Sequence, residues 1–239
     1  MKGLLSPLFR VLWRVRVEGR EHLPPTGPVI LAPNHVSFCD SLFVPLVVRR
    51  RVTFVAKAEY FDSWKTAWFF RAAGQIPMRR GGGSASQRSL DAAAEVVDGG
   101  GILGIYPEGT RSPDGRLYRG HTGAARLALQ SGAPLIPVGL LGTTDVQPRG
   151  SNVMRPLRRV TVRFGPPVDV GRFAGAGAAD PLALRTITDE LMFEIRRLTG
   201  QAYVDRYAKR HDVVGAAEPA AIGAPAVDSA AMVAPTPAA

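Results

Sequence analysis

His35 and Asp40 stand five positions apart and carry the side-chain types that acid–base chemistry needs. A neutral imidazole, with a reference pKa near 6.5, can take a proton from a reacting hydroxyl near neutral pH. A carboxylate on its other ring nitrogen would hold the tautomer and stabilise the imidazolium that forms. Because residues five apart on a helix point roughly 140° away from each other, the two side chains can pair only if the chain turns between them.

Two other interpretations of this stretch remain open. Ser37 and Asp40 have the spacing of a helix capping box, in which both side chains bind amides of a helix terminus. Cys39, the single cysteine of the chain, suits either a nucleophile with His35 as its base or a small buried side chain. Each interpretation predicts different partners for Asp40 and Cys39.

Arg79 and Arg80, followed by glycines at 81–83, form the first of two further stretches suited to binding an anion. Backbone amides in a glycine loop, with a guanidinium beside them, can bind a phosphate. The spacing is not that of a Walker A or a dinucleotide-binding loop. A flexible surface loop is the alternative.

The second such stretch spans residues 106–112, with the sequence YPEGTRS, directly after an apolar segment. Glu108 can hold an arginine or accept a hydrogen bond from a hydroxyl, and Gly109 permits close approach of a ligand. Thr110 and Arg111 can donate hydrogen bonds to a phosphate. An ordinary turn with a surface ion pair is the alternative.

These stretches lie within a regular alternation of predicted strands and helices. The alternation predicts a single α/β domain in which a largely parallel, mixed sheet is flanked by helices. In open sheets of this kind, ligands bind at the carboxyl ends of the strands. The predicted strands are 15–18, 28–32, 52–57, 75–78, 102–106, 135–141 and 160–164. The predicted helices are 41–50, 63–73, 86–97, 121–130 and 181–198.

The predicted strand at 135–141 carries a proline at position 137 and follows another at position 134. Proline lacks the amide hydrogen that a sheet ladder uses. Pro137 therefore predicts an irregular or edge position for this strand.

The basic balance of the chain predicts an anionic partner. The formal net charge is +10, and it rises to +13 over residues 1–211 because residues 212–239 contain three acidic and no basic residues. This alanine- and proline-rich tail is predicted to be disordered. A membrane surface, a nucleic acid and a phosphorylated substrate each fit the charge. One cysteine excludes an internal disulfide framework, and the four histidines lack the spacing of zinc ligands, so no metal is predicted.

The first fourteen residues are predicted to be an interfacial amphipathic segment, with the folded domain covering residues 15–211. Leu4, Leu8, Val11, Leu12 and Val15 form one stripe at helical spacing, a pattern typical of a helix lying in a membrane interface. A first helix that covers the core of the domain has the same pattern. No segment has the ~18–20 continuous apolar residues of a membrane-spanning helix.

Four stretches, in this order and spacing, resemble the motifs of the glycerolipid acyltransferase family, whose members include 1-acylglycerol-3-phosphate O-acyltransferases. The resemblance covers about residues 15–170. The second motif has Pro77 and Met78 where the family usually has Phe and Ile, and the third has Tyr106 for Phe. The four matching stretches are Asn34-His35-x4-Asp40, Gly74-x-Ile76-Pro77-Met78-x-Arg80, Tyr106-Pro107-Glu108-Gly109-Thr110-Arg111-Ser112 and Ile136-Pro137-Val138.

The resemblance implies transfer of a fatty acyl group from an acyl thioester to a lysophospholipid hydroxyl. His35 would be the general base and Asp40 the residue that orients it, without a covalent acyl-enzyme. The implied donor is acyl-CoA or acyl-carrier protein as co-substrate, and no cofactor or metal is implied. The acceptor would be 1-acylglycerol-3-phosphate, giving phosphatidic acid, or a related lysophospholipid. The implied phosphate-binding residues are Arg80, Glu108, Gly109, Thr110 and Arg111.

Two alternatives to this function stay open. The acceptor of an acyltransferase could instead be a phosphorylated glycolipid. A basic nucleic-acid-binding protein is supported only by charge, since no nucleic-acid-binding motif is visible, and the motifs favour a membrane partner over nucleic acid.

Members of this family commonly carry membrane helices before the first motif, whereas in this chain only about fourteen N-terminal residues could serve that purpose. We therefore expect a peripheral or monotopic enzyme on the cytoplasmic face of the cell membrane. The segment Leu4–Val15 and arginines against anionic headgroups would hold it there. Trp64 and Trp68, one helical turn apart, suit a lipid interface and a protein core equally well.

Overall fold

A mixed sheet forms the centre of the computed structural model, which describes residues 11–57, 75–78, 84–151, 153–177 and 179–208. In chain order the strands are β1 (Val15–Glu18), β2 (Val29–Pro33), β3 (Val52–Lys57), β4 (Ile76–Met78), β5 (Ile102–Gly104), β6 (Leu117–Tyr118), β7 (Leu135–Leu141), β8 (Val160–Phe164) and β9 (Tyr203–Val204). Seven of them form one sheet in the order β1-β8-β7-β2-β5-β3-β4, and β6 pairs with β9 separately.

Five strands that are adjacent in the sheet run parallel to one another, in the order β7, β2, β5, β3 and β4. Strand β8 runs antiparallel to β7, and β1 runs parallel to β8. The predicted fold class, a single α/β domain with a largely parallel mixed sheet, is thus confirmed. The pairing of β6 with β9 and a short helix after β7 were not predicted.

The described helices are α1 (Asp40–Val47), α2 (Ser84–Asp98), α3 (Gly123–Ser131), α4 (Thr143–Val146) and α5 (Pro181–Thr199). Helix α5 begins as its sequence predicts, because the Asp180 carboxylate accepts hydrogen bonds from two first-turn amides at 2.8 and 3.2 Å. Two single-turn 3-10 helices cover Arg20–His22 and Gly171–Phe173.

Helices cover both faces of the sheet and form two cores. On β2 every residue is buried, as expected for a strand enclosed on both faces. Ile30 and Ala32 join a core with α2, α3 and α5. Val29 and Leu31 join the opposite core with α1 and Trp13.

The parallel strands place their carboxyl ends at one edge of the sheet. Strand β2 lies between β5 and β7, so the residues that follow these three strands are neighbours in space. His35 follows β2, and the 106–112 stretch follows β5. We refer to this side as the carboxyl edge.

Of the two positions predicted for Pro137, an edge strand is wrong, because β7 lies between β2 and β8. The irregular position fits, because the ladder with β8 ends at Val138 and Phe164. The Pro137 carbonyl accepts a hydrogen bond from the Gly165 amide at 2.9 Å. The proline nitrogen, which has no hydrogen to donate, therefore faces Gly165, the first residue after β8. A Cβ on Gly165 would approach Pro137 Cγ to 2.9 Å. The end of one ladder, together with a glycine, accommodates the proline inside the sheet.

Several predicted features lie outside the described residues. They are most of the 1–14 segment, the predicted helix with Trp64 and Trp68, Arg79, Arg80 and the tail from 212 to 239. Within the ranges that are described, no helix has the length and apolarity needed to cross a membrane.

Candidate active site

His35 and Asp40 pair at the turn between β2 and α1. His35 Nδ1 lies 2.9 Å from Asp40 Oδ2. The Asp40 side chain is completely buried, whereas that of His35 is 15% exposed. The carboxylate holds the proton on Nδ1 and makes Nε2 the basic nitrogen. The pair has the geometry that a general base and its orienting group require.

The same carboxylate oxygen also fixes the turn. Asp40 Oδ2 accepts hydrogen bonds from the amides of Val36 and Ser37, both at 2.8 Å. These amides belong to the turn that leads from His35 into α1, so one oxygen shapes the turn and orients the imidazole. The reciprocal capping box is absent, because the Ser37 hydroxyl donates to the Gln147 carbonyl at 2.8 Å instead.

The Glu108 carboxylate binds the backbone of His35. Its Oε2 accepts the His35 amide at 2.9 Å, and its Oε1 accepts the Tyr118 amide at 3.0 Å. Ser112 adds a second tie, with its amide donating to the His35 carbonyl at 2.7 Å. The loop after β5 therefore anchors the residue after β2. The role of Glu108 in an acceptor site stays a prediction.

Burial governs the electrostatics of Glu108. Its carboxyl is only 1% exposed, and burial raises its pKa from 4.5 to about 7, against the lowering effect of the Tyr118 and His35 amides. The negative charge of Asp40 contributes a smaller part of this increase. Close to neutral pH this carboxyl is therefore partly protonated.

Tyr106 packs its ring flat against His35. The two ring centroids are 3.8 Å apart and the planes differ by 15°. On the other side Tyr106 stacks on Phe54 at 5.2 Å, and its hydroxyl lies 2.9 Å from the Ser41 hydroxyl. Burial and the nearby Asp40 charge raise the pKa of Tyr106 well above its usual value, so the phenol stays neutral. The stack restrains the imidazole plane.

Asn34 continues the β2–β7 pairing with its side chain. Its Oδ1 accepts the Leu140 amide at 2.7 Å, and its Nδ2 donates to the Leu140 carbonyl at 3.1 Å. Nδ2 also donates to Gln201 Oε1 at 3.0 Å. The residue before His35 is thus held to β7 and to the segment after α5.

Cys39 has the surroundings of a structural thiol. It is completely buried, and its Sγ lies 3.4 Å from the Thr143 carbonyl and 3.3 Å from the Ser37 hydroxyl. Burial raises its pKa to about 11, so little thiolate exists near neutral pH. These contacts argue against the nucleophile interpretation and favour the buried side chain.

The stretch with Gly109, Thr110 and Arg111 lies at the carboxyl edge between Glu108 and Ser112. Gly109 has a φ of +68°, and a Cβ there would meet the His121 ring at 3.0 Å, so this position requires glycine. Thr110 and Arg111 are partly exposed. The structure brings these residues to the same edge as His35, while Arg80 is outside the described residues.

Sequence reasoning missed Arg149, which follows α4 at the same edge. Partial burial lowers its pKa, and the neighbouring charge of Arg111 lowers it further. Two guanidinium groups near each other form a positive region beside the 106–112 loop. The position of Arg149 after a strand of the parallel block was the sequence signal that could have identified it.

Among the described residues, no group of three or more His, Cys, Asp or Glu side chains is arranged to hold a metal ion.

Comparisons with known proteins agree with this geometry. Residues 14–141, more than half of the chain, match the sequence profile of a family described as Acyltransferase. A chloroplastic 1-acyl-sn-glycerol-3-phosphate acyltransferase, BAT2 of Brassica napus, is 31% identical over 140 residues, which are 58% of this chain and 40% of that protein. The alpha 1-acyl-sn-glycerol-3-phosphate acyltransferase of Mus musculus is 30% identical over 65% of this chain and 55% of its own length.

A solved structure shares the fold. The 1-acyl-sn-glycerophosphate (LPA) acyltransferase PlsC from Thermotoga maritima superposes with a TM-score of 0.62 at 24% identity, covering 82% of this chain and 76% of that one. By contrast, the match to this chain spans only about two-fifths of the length of the two chloroplastic relatives from Brassica napus and Arabidopsis thaliana.

Proposed function

This chain belongs to the acyltransferase family, and we propose that it transfers a fatty acyl group from an acyl thioester to the free hydroxyl of 1-acylglycerol-3-phosphate. The product would be phosphatidic acid. A related lysophospholipid is the broader form of the same proposal. The observation that carries it is the His35–Asp40 pair, at 2.9 Å, on a turn at the carboxyl edge.

In the proposed reaction, His35 Nε2 takes the hydroxyl proton as the acceptor oxygen attacks the thioester carbonyl carbon. A carbon–oxygen bond forms and gives a tetrahedral intermediate. Its collapse breaks the carbon–sulfur bond, and the departing thiolate takes the proton back from His35. The ester and a free thiol are the products, so atoms and charge balance without an acyl-enzyme. Asp40 stabilises the imidazolium during this sequence.

Acceptor binding would depend on the positive side of the same edge. Thr110 and Arg111 would donate to the acceptor phosphate, with Gly109 allowing close approach and Arg80 completing the site. Glu108 would support this loop through its two backbone hydrogen bonds. The position of Arg149 beside Arg111 supports an anionic acceptor.

The acyl donor is proposed to be acyl-CoA or acyl-carrier protein, acting as co-substrate. The enzyme is proposed to work as a peripheral or monotopic protein on the cytoplasmic face of the cell membrane. The basic composition of the chain, with a formal net charge of +10, supports contact with an anionic membrane surface.

The test is acyl transfer by purified protein against 1-acylglycerol-3-phosphate, other lysophospholipids and a phosphorylated glycolipid, with both donors. His35→Ala should abolish turnover, because general-base catalysis alone is typically worth ~10²–10⁴ in rate. His22→Ala makes the same change at the opposite edge of the sheet and should leave turnover intact. Retained transfer in folded His35→Ala would remove His35 from the mechanism.

A further inference from the structure

We propose that residues 11–14 and 153–159 form a surface that docks onto an anionic lipid bilayer and turns the carboxyl edge toward it. The choice of a membrane as the partner rests on the proposed function, whereas the exposed apolar and basic side chains are features of the structure itself. We call these residues the docking surface. Its occupant is the membrane itself.

The two segments of the docking surface are tied together through their backbones. The Leu157 amide donates to the Leu12 carbonyl at 2.7 Å. The indole of Trp13 donates to the Arg155 carbonyl at 2.9 Å, and its ring packs edge-on against Phe43 of α1 at 5.9 Å. The surface is thus a fixed part of the domain.

Large apolar side chains on this surface point into water. Val11 is 75% exposed, Val153 71% and Leu157 61%. Trp13, by contrast, is 6% exposed and belongs to the core. In the first segment, the Trp13 side chain therefore packs in the core, whereas the Val11 side chain is exposed and can enter an apolar phase.

Leu157 also has an unfavourable backbone conformation. Its φ is +59°, and that of Arg14 is +44°, and these are the non-glycine residues with positive φ in the described ranges. In this region Cβ comes too close to the following carbonyl oxygen. Burial within the protein does not compensate for this strain, because the leucine side chain faces water. Transfer of that side chain into an apolar phase would be favourable.

Positive charge surrounds the apolar residues. The 153–159 segment contains Arg155, Arg158 and Arg159 and no acidic residue, and Arg14 joins them from the first segment. All four arginines are exposed. In the parts of the chain that the structure describes, none of them forms an ion pair. Exposed apolar side chains ringed by unpaired arginines match the boundary between acyl chains and anionic headgroups.

The topology places this surface next to the candidate active site. Leu141, the last residue of β7, pairs with Thr161 in the antiparallel ladder, and Val15 pairs with Val160. Residues 14 and 159 therefore lie at the carboxyl edge, as does His35. The Arg155 amide donates to the Val146 carbonyl at 2.7 Å, and the next residue, Gln147, accepts the Ser37 hydroxyl. A docked bilayer would lie beside the pair that acts on a lipid.

Flotation with phosphatidylcholine vesicles, with and without phosphatidylglycerol, tests this surface in the full chain. Leu157→Gly removes the apolar side chain and suits the positive φ, so vesicle binding should weaken about tenfold to a hundredfold, with thermal stability unchanged or higher. Arg158→Gln/Arg159→Gln should weaken binding to the anionic vesicles by about 30-fold. Arg49→Gln/Arg51→Gln makes the same charge change at the opposite edge and should bind as wild type does.

A separate activity assay keeps this proposal distinct from the proposed function. Transfer to a short-chain, water-soluble acceptor should be unchanged in both docking-surface variants, because neither changes a residue that the proposed reaction uses. The proposal would be overturned if both docking-surface variants bound vesicles as strongly as the wild type does. Equal weakening of vesicle binding in the Arg49/Arg51 control would overturn it too. Preference of the wild-type chain for duplex DNA over anionic vesicles at the same salt would overturn it as well, as would a dimer that Leu157→Gly dissociates.

Discussion

Replacement of Asp40 by Asn removes the negative charge beside His35 with the least change in shape. Asp40 Oδ2 accepts three hydrogen bonds, from His35 Nδ1 and the amides of Val36 and Ser37. An asparagine oxygen in the same place has two lone pairs and can keep the two hydrogen bonds from the Val36 and Ser37 amides. The turn should therefore survive, whereas the negative charge that stabilises the His35 imidazolium is lost.

The magnitude follows from Coulomb's law. At an effective dielectric constant near 20 and a charge separation of about 4 Å, Asp40 and the His35 imidazolium attract each other by about 4 kcal/mol. Loss of this attraction in the transition state should lower kcat by about 10³. The new amide group would occupy the place of Asp40 Oδ1, a buried atom without a hydrogen-bond partner among the described residues. Its unpaired donors should lower the free energy of unfolding by about 1–3 kcal/mol.

The assay follows thiol release during acyl transfer, with urea unfolding measured on the same samples. Asp145→Asn makes the same chemical change at an exposed position on α4 and should leave both kcat and stability unaltered. If folded Asp40→Asn keeps a kcat within about tenfold of wild type, where charge loss predicts about 10³, the electrostatic role of Asp40 is refuted.

Three further predictions concern neighbouring residues. Because the pKa of Glu108 is 4.5 in an ordinary environment and about 7 in the fold, the folded state binds the proton more tightly, so stability should fall as pH rises through this window. The full effect is about 3 kcal/mol; Glu108→Gln should flatten this part of the urea-unfolding profile, and an equally steep profile in the variant would contradict the assignment. Gly104→Ala places a Cβ 2.5 Å from the Phe54 ring, so it should displace the aromatic stack and lower both stability and kcat; unchanged values for both would show that the stack does not restrain His35. Arg80→Ala should chiefly raise the acceptor KM in steady-state kinetics, and a fall in kcat alone would remove its phosphate role.

The local pattern of residues was sufficient to predict the sheet and the position of the site. Alternating apolar segments and helical stretches predicted a mostly parallel sheet. A strand that is buried on both faces is apolar along its length, and the helix that connects it to the next strand has helical periodicity, so both patterns can be seen within single segments. Ligand sites follow from strand ends, so His35 and the 106–112 loop could be placed at one edge before the fold was known. The ordered motifs added the acyltransferase resemblance.

The partners of these residues could not be predicted, because they come from elements distant in the chain. Five-residue spacing left Asp40 as either a cap or a catalytic partner, and the tertiary turn gives its one oxygen both kinds of contact. The hydrogen bonds of Glu108 to His35 and Tyr118 depend on β5 lying beside β2.

Burial likewise came only from the tertiary structure. It distinguishes the inert thiol of Cys39 from a nucleophile, and it separates Trp13 in the core from Leu157 in water. Sequence alone determined which chemistry was present and at which edge of the sheet it would gather. Only packing decided which groups meet and which are desolvated, because both depend on contacts between segments that are far apart in the chain.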